Sequence, residues 1–129
     1  MPHGTFYWNE LMTNDVEKAR AFYTSVIGWT FDPMPMPEGT YWVAQQDGAP
    51  VAGMMAMQGI VPDGIPPHWM SYLAVDDIDA RVAAAQANGA TILRPSFDVP
   101  GVGRIAILTD PTGAAMGWIT PVAEVCPTP

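Results

Sequence analysis

The chain has 129 residues, of which 49% are hydrophobic, and this length can form one domain that buries about two-thirds of its unfolded surface. Its 5 Lys and Arg against 13 Asp and Glu leave no clustered positive charge, so we expect neither a nucleic-acid partner nor an anionic membrane surface. No run of about 18 uncharged apolar residues and no secretory signal is seen. A single cysteine, Cys126, excludes a disulfide framework, and we predict a cytoplasmic protein.

The first thirty residues predict a strand followed by a helix. Residues 5–12 are rich in aromatic and other β-favouring side chains, which indicates a half-buried strand. Asn14 lies three residues before Glu17, a spacing typical of a helix start. Apolar residues then recur at helical spacing as far as Ile27, and Gly28 stands where a helix ends.

Three further strands or extended segments follow in the first half of the chain. Residues 32–39 contain three prolines, which lack backbone donors, so the segment is predicted to be an extended loop or an edge strand. Residues 40–44 and 51–57 are predicted strands on either side of a tight Asp47-Gly48 turn. Gly53 in the second of them allows a bulge or the close approach of another group. A Pro-rich linker is predicted at 59–67.

The second half repeats this order. A strand begins near His68, Asp77 starts a helix 62 residues after Asp15, and Gly89 ends it 61 residues after Gly28. This offset predicts two modules of about sixty residues rather than an array of short repeats, the alternative being chance similarity of two strand–helix units.

We predict a single α+β domain, residues 1–129, with two βαβββ modules. Module one covers about 5–58, module two about 68–121, and a Pro-rich tail covers 122–129. Within module two, 95–100 is predicted as a turn.

Several short motifs, in this order and spacing, resemble the vicinal oxygen chelate superfamily, which includes glyoxalases, bleomycin-resistance proteins and extradiol dioxygenases. They are Asn14-Asp15, Ala21-Phe22-Tyr23, Ile27-Gly28-Trp29, Tyr72-Leu73-Ala74-Val75-Asp76-Asp77, Gly89-Ala90, Gly103-Arg104 and Asp110-Pro111-Thr112-Gly113. The likeness covers about residues 5–121. It implies a curled mixed sheet around a cleft, and a homodimer in which the partner chain completes that cleft.

Enzymes of this superfamily hold a divalent metal with His and Glu side chains from four strands, leaving open positions for two adjacent substrate oxygens. The resemblance places three of these ligands at Trp8, Met70 and Gly117, and the fourth on the strand 51–57, which has no acidic residue. All four positions depart from the metal-binding pattern. We therefore expect no cofactor. The alternative is a displaced divalent metal site that uses His68 and Glu10.

Strand alternation predicts which side chains line the cleft. If Trp8 faces inward, so does Glu10, and on the later strands one face carries Met70 and Tyr72. The predicted ligand-binding residues are Trp8, Glu10, Met54, Met70, Tyr72 and Gly117. An apolar wall with few polar groups is typical of small-molecule sites, although the methionines would equally suit a packed core.

Glu10 is the candidate catalytic residue. A carboxyl group in the middle of such a strand would be desolvated and its pKa raised, which suits a general base or an anchor for a cationic ligand. The alternative is a structural Glu10 that bonds to Tyr72 or Arg104.

We therefore predict a metal-free protein of the bleomycin-resistance type that binds a small aromatic or cationic molecule in an apolar cleft. The alternative is a lyase, isomerase or dioxygenase of the same superfamily, either metal-free and using Glu10 or metal-dependent with displaced ligands. A third possibility is an interaction module with no small ligand.

Overall fold

The computed structural model describes residues 2–36, 39–58, 64–99 and 102–122. Ten elements follow in chain order, and their bounds are β1 Thr5–Thr13, α1 Val16–Val26, β2 Thr30–Met36, β3 Gly39–Gln46, β4 Ala49–Ala56, β5 His68–Ala74, α2 Ile78–Ala87, β6 Thr91–Val99, β7 Gly103–Thr109 and β8 Ala115–Pro121. The chain forms two compact units. The first unit is Trp8–Met70, and the second unit is Met1–Tyr7 together with Ser71–Pro129.

Both units have the same strand order. In the first unit the order is β2-β3-β4-β1, with β1 parallel to β4 and the other pairs antiparallel. In the second unit the order is β6-β7-β8-β5, with β5 parallel to β8. The predicted α+β chain of two βαβββ modules is thereby confirmed.

The predicted boundaries of the modules, and their union in a single domain, stay predictions. Residues 59–63 of the expected linker lie outside the described residues. The same holds for residues 123–129 of the expected tail, which include Cys126.

The outer strand of each unit contains proline. In the described part of the first unit, β2 contains Pro33 and Pro35 and pairs with β3 alone, so the predicted edge segment is confirmed. The predicted turn at 95–100 is wrong, because β6 continues to Val99. Its register with β7 shifts on both sides of Arg94, and such an irregularity accommodates Pro95 within an edge strand.

Aspartate side chains begin both helices. Asp15 accepts a hydrogen bond from the Lys18 backbone N–H at 3.0 Å, and Asp77 accepts one from Ala80 at 3.3 Å. The predicted start at Asn14 is therefore one residue too early, whereas the start at Asp77 is confirmed. Among the described residues, no helix is long and apolar enough to cross a membrane.

Each helix covers one face of its own unit's sheet. In the second unit Val75, Ile78 and Ala106 form a buried cluster, and Trp118 packs against it. In the first unit the Arg20 guanidinium of α1 stacks 3.8 Å from the centre of the Trp42 ring on β3. The faces that carry Trp118 and Trp42 are thus the helix-covered faces.

The N-cap of α1 gives a direct test of this assignment. Replacing Asp15→Ala removes the acceptor for the Lys18 N–H, so we expect the free energy of unfolding to fall by about 1 kcal/mol. Urea denaturation followed by circular dichroism measures this. The neighbouring variant Asn14→Ala serves as the control and should cost much less; an equal or larger loss in Asn14→Ala would contradict the assignment.

Candidate functional site

The face of the first unit that is opposite to α1 carries Glu10. Glu10 of β1 is in register with Gly53 of β4, and Gly53 is in register with Val43 of β3. Residues paired in this way point to the same side of a sheet, and alternation adds their neighbours two residues along. We call this surface the Glu10 face; it comprises Trp8, Glu10, Met12, Asp32, Met34, Tyr41, Val43, Gly53 and Met55.

A chain of hydrogen bonds runs across this face. The Trp8 indole N–H donates to the Tyr41 hydroxyl at 2.9 Å, and the Tyr41 hydroxyl is hydrogen-bonded to Glu10. An indole N–H only donates, so the phenol oxygen accepts from Trp8 and its single hydrogen is directed to Glu10. Glu10 itself is only 8% exposed. The buried carboxylate therefore receives a phenol O–H that is oriented by Trp8.

Tyr41 is held in its neutral form. Burial raises the pKa of the Tyr41 phenol well above its ordinary value of 10.0, and the nearby negative charge of Glu10 raises it further, against a smaller opposing effect of the Trp8 hydrogen bond. Each of the two larger effects penalises the phenolate. Tyr41 therefore keeps its proton and acts as a donor rather than a base.

Gly53 makes room for the Tyr41 ring. A Cβ atom at position 53 would overlap the Tyr41 hydroxyl and ring carbons, so any larger residue would displace the phenol. Of the two roles that the sequence allows for Gly53, the close approach of another group is the one observed.

The second unit has an equivalent glycine. Gly117 of β8 is in register with Tyr72 of β5, as Gly53 is with Glu10. A Cβ atom at position 117 would overlap the Tyr72 ring, and Tyr72 is only 8% exposed. Both fourth strands thus carry a glycine beneath a tyrosine ring, although the ring comes from β3 in one unit and from β5 in the other.

These residues do not fit the metal site of the superfamily. Gly117 stands where the resemblance places a Glu, and Gly53 is its counterpart by register; in each case a phenol ring occupies the space that a longer side chain would enter. Trp8 stands at an expected His position and uses its only donor on Tyr41. Within the described parts of the chain, no three His, Cys, Asp or Glu side chains are grouped as metal ligands would be.

The other predicted residues are distributed as follows. Met54 is 1% exposed and in register with Leu11 and Trp42, so it lies on the helix-covered face, whereas Met55 lies on the Glu10 face. Met70 is buried at 6% exposure. The His68 imidazole Nδ1 lies 2.9 Å from the Pro66 carbonyl oxygen. Ligand binding by all six residues, including Met70, Tyr72 and Gly117, stays a prediction.

Among the described residues, the hydrogen-bond partners of Arg104 are two aspartates rather than Glu10. Arg104 donates to Asp79 at 3.2 Å and to Asp98 at 3.1 Å. Tyr41, which the sequence pattern did not point to, is hydrogen-bonded to Glu10, and the alternative that Glu10 bonds to Tyr72 stays a prediction. The sequence signal for this contact was Gly53, which indicated that another group lies close to the strand but did not show which residue it is.

The sequence of this chain is similar to those of several known proteins. The sequence signature described as Glyoxalase/Bleomycin resistance protein/Dioxygenase superfamily matches residues 5–116. A protein named "Putative glyoxylase CFP32" from Mycobacterium tuberculosis is 43% identical over 116 residues, which cover 88% of this chain and 44% of that protein. The anthracycline biosynthesis protein DnrV of Streptomyces peucetius is 33% identical over 91% of this chain and 47% of its own length. This chain thus spans less than half the length of these relatives.

Solved structures share the fold. Methylmalonyl-CoA epimerase from Mycobacterium tuberculosis superposes with a TM-score of 0.67 at 15% identity, covering 94% of this chain and 90% of the epimerase. The hypothetical protein BH1468 from Bacillus halodurans gives a TM-score of 0.67 at 10% identity, covering 94% of this chain and 96% of that protein. These superpositions show a common fold. Together with the sequence matches, they confirm the predicted resemblance to the superfamily.

The fit between Gly53 and Tyr41 predicts a strong coupling between the two positions. We expect Gly53→Ala to lower the free energy of unfolding by about 1–3 kcal/mol, because the rigid ring must move. In a Tyr41→Leu background the same change should cost clearly less, since the obstructing ring is absent. Urea denaturation of the four proteins measures the coupling; equal costs of Gly53→Ala in both backgrounds would refute the contact.

Because its pKa is raised, Tyr41 should not contribute to the rise in tyrosinate absorbance during a spectrophotometric titration. Wild type and Tyr41→Phe should show the same rise in tyrosinate absorbance around pH 10, since Tyr41 does not ionise there. Because the folded-state pKa lies above the unfolded value, the stabilisation is complete below pH 10 and declines above it. A loss of one tyrosine's share of the signal in Tyr41→Phe would contradict the result.

Proposed function

Because this chain belongs to the glyoxalase/bleomycin resistance protein/dioxygenase superfamily, we propose that it binds a small, aromatic, positively charged molecule on the Glu10 face without a metal ion. The observation that carries the proposal is the buried Glu10 carboxylate, hydrogen-bonded to Tyr41 in a chain that begins at Trp8. It supplies a fixed negative group where the resemblance leads one to expect a metal.

The charges on this face support a cationic ligand. Two carboxylates, Glu10 and Asp32, lie on it by register, and Asp32 accepts a hydrogen bond from the Gln45 amide. The described strands β1 to β4 contain no Lys or Arg. A surface with charges of one sign concentrates ligands of the opposite sign, and the net charge of −8 acts in the same direction.

The apolar side chains of the face support an aromatic ligand. Trp8 and Tyr41 offer ring surfaces, and the partly exposed Met55 offers a thioether, which adapts to irregular shapes and contacts aromatic rings favourably. The relationship to an anthracycline biosynthesis protein suggests a concrete ligand class, since anthracyclines combine a planar aromatic system with an amino sugar. A planar aromatic amine is therefore the ligand that we propose.

Assembly and location belong to the same proposal. We propose a single domain that works as a homodimer in the cytoplasm, as the resemblance to the superfamily implies. The apolar sheet face and the acidic composition support a protein that handles small molecules rather than nucleic acid.

A second candidate function is proton transfer. The Glu10 carboxylate is buried and receives the Tyr41 O–H, an arrangement that suits a general base in a metal-free isomerase or lyase. In that case the carboxylate accepts a proton from a bound substrate, while Tyr41 retains its own. A substrate that presents an acidic C–H or O–H next to the cation would favour this function.

Binding of an anthracycline provides the test. Doxorubicin fluorescence should be quenched on titration with the protein, and EDTA should leave the affinity unchanged. Glu10→Gln, which has nearly the same shape without the charge, should weaken binding about tenfold or more, because a charge-assisted hydrogen bond contributes roughly 1.5–3 kcal/mol.

Glu17→Gln is the matched control, since Glu17 lies in the first turn of α1 rather than on the sheet. It removes one negative charge and should leave the affinity within about twofold, well below a tenfold effect. Equal affinity of wild type and Glu10→Gln, or a loss of binding in EDTA, would overturn the proposal.

A further inference from the structure

The direction of the hydrogen-bond chain fixes what Glu10 offers to a ligand. Trp8 donates to the Tyr41 oxygen at 2.9 Å, so the phenol hydrogen is committed to Glu10. An ionised carboxylate only accepts, and its two oxygens have room for about four hydrogen bonds in all. The Tyr41 hydroxyl takes one of these positions, and what Glu10 offers to a ligand is an acceptor rather than a donor.

From this geometry we infer that Tyr41 is a positioning residue that makes Glu10 select a protonated amine over a neutral group of the same shape. The inference rests on the proposed function, and it adds the residue that sets the charge preference of the ligand. Tyr41 acts through Glu10: it holds the carboxylate in one orientation and supplies the donor that a buried negative charge requires.

Gly53 contributes to this arrangement by defining the position of the phenol. The Tyr41 hydroxyl and ring lie against position 53, where a Cβ atom would overlap them. The hydroxyl is therefore fixed at both sides, by the Trp8 N–H and by the bare backbone of β4. A donor that is fixed in place before the ligand arrives costs no reorganisation on binding.

Loss of the Tyr41 hydroxyl should change the affinity for a cationic ligand more than the affinity for a neutral one. In Tyr41→Phe the ring still covers Gly53, while Glu10 loses the donor that stabilises its charged form. A cationic ligand needs the oriented, ionised carboxylate, whereas a neutral ligand depends mainly on contact with the apolar side chains. The ratio of the two affinities therefore reports the role of Tyr41.

The experiment uses doxorubicin and its N-acetyl derivative, which share one aromatic system but differ in the charge of the amine. Wild type should bind doxorubicin about tenfold more tightly than the neutral derivative, as one charge-assisted hydrogen bond implies. Tyr41→Phe should reduce this ratio to about two or less, whatever its effect on the affinity for the neutral derivative. Fluorescence titration measures all four values.

A second variant, Trp8→Phe, tests the same inference if Tyr41→Phe does not fold. Trp8→Phe removes the N–H that orients the phenol and should also lower the ratio, even if loss of the indole surface weakens both ligands. Circular dichroism and urea denaturation establish that each variant is folded.

The outcomes separate the inference from the proposed function. A purely structural Tyr41 would weaken both ligands equally and keep the ratio, which overturns the inference. A ratio lost in Glu10→Gln but kept in both Tyr41→Phe and Trp8→Phe overturns the inference alone. Failure of wild type to bind either compound overturns the proposed function, and the inference with it.

Discussion

A buried carboxylate needs hydrogen-bond donors, and this requirement organises the first unit. Glu10 is 8% exposed and lies between Trp8 and Met12 on one face of β1, where an unpaired charge would cost several kcal/mol. Tyr41 supplies the donor, Trp8 orients Tyr41, and Gly53 leaves the space in which the ring fits. Three strands of the sheet therefore contribute to one polar group.

The same topology serves two different arrangements in the two units. Register makes Gly53 and Gly117 equivalent, and each is covered by a tyrosine ring. In the first unit the ring comes from the neighbouring antiparallel strand, so the parallel strand can carry Glu10 instead. In the second unit Tyr72 occupies the position that corresponds to Glu10. The repeat thus preserves the backbone pattern, while its side chains place one carboxylate in one unit and a phenol in the other.

Much of the fold could be predicted from local signals, whereas the site depended on register. Helix ends at Gly28 and Gly89 and the turn at Asp47-Gly48 have positive φ values, which a short sequence pattern reveals. The partner of Glu10 could not be found in this way, because Tyr41 meets it only through the pairing of β3 with β4. The same limit explains why Met54 was predicted to lie on the same face as Glu10. Strand alternation gives two faces, but only the register of Met54 with Leu11 shows on which face Met54 lies.

A crystal structure of the protein with bound doxorubicin, including anomalous scattering data, tests the central claim most directly. We expect the amine of the ligand to lie about 3 Å from a Glu10 carboxylate oxygen, with Tyr41 still bonded to Glu10 and no anomalous peak beside them. A transition-metal or zinc ion bound to Glu10, or a ligand that makes no contact with Glu10, would contradict it.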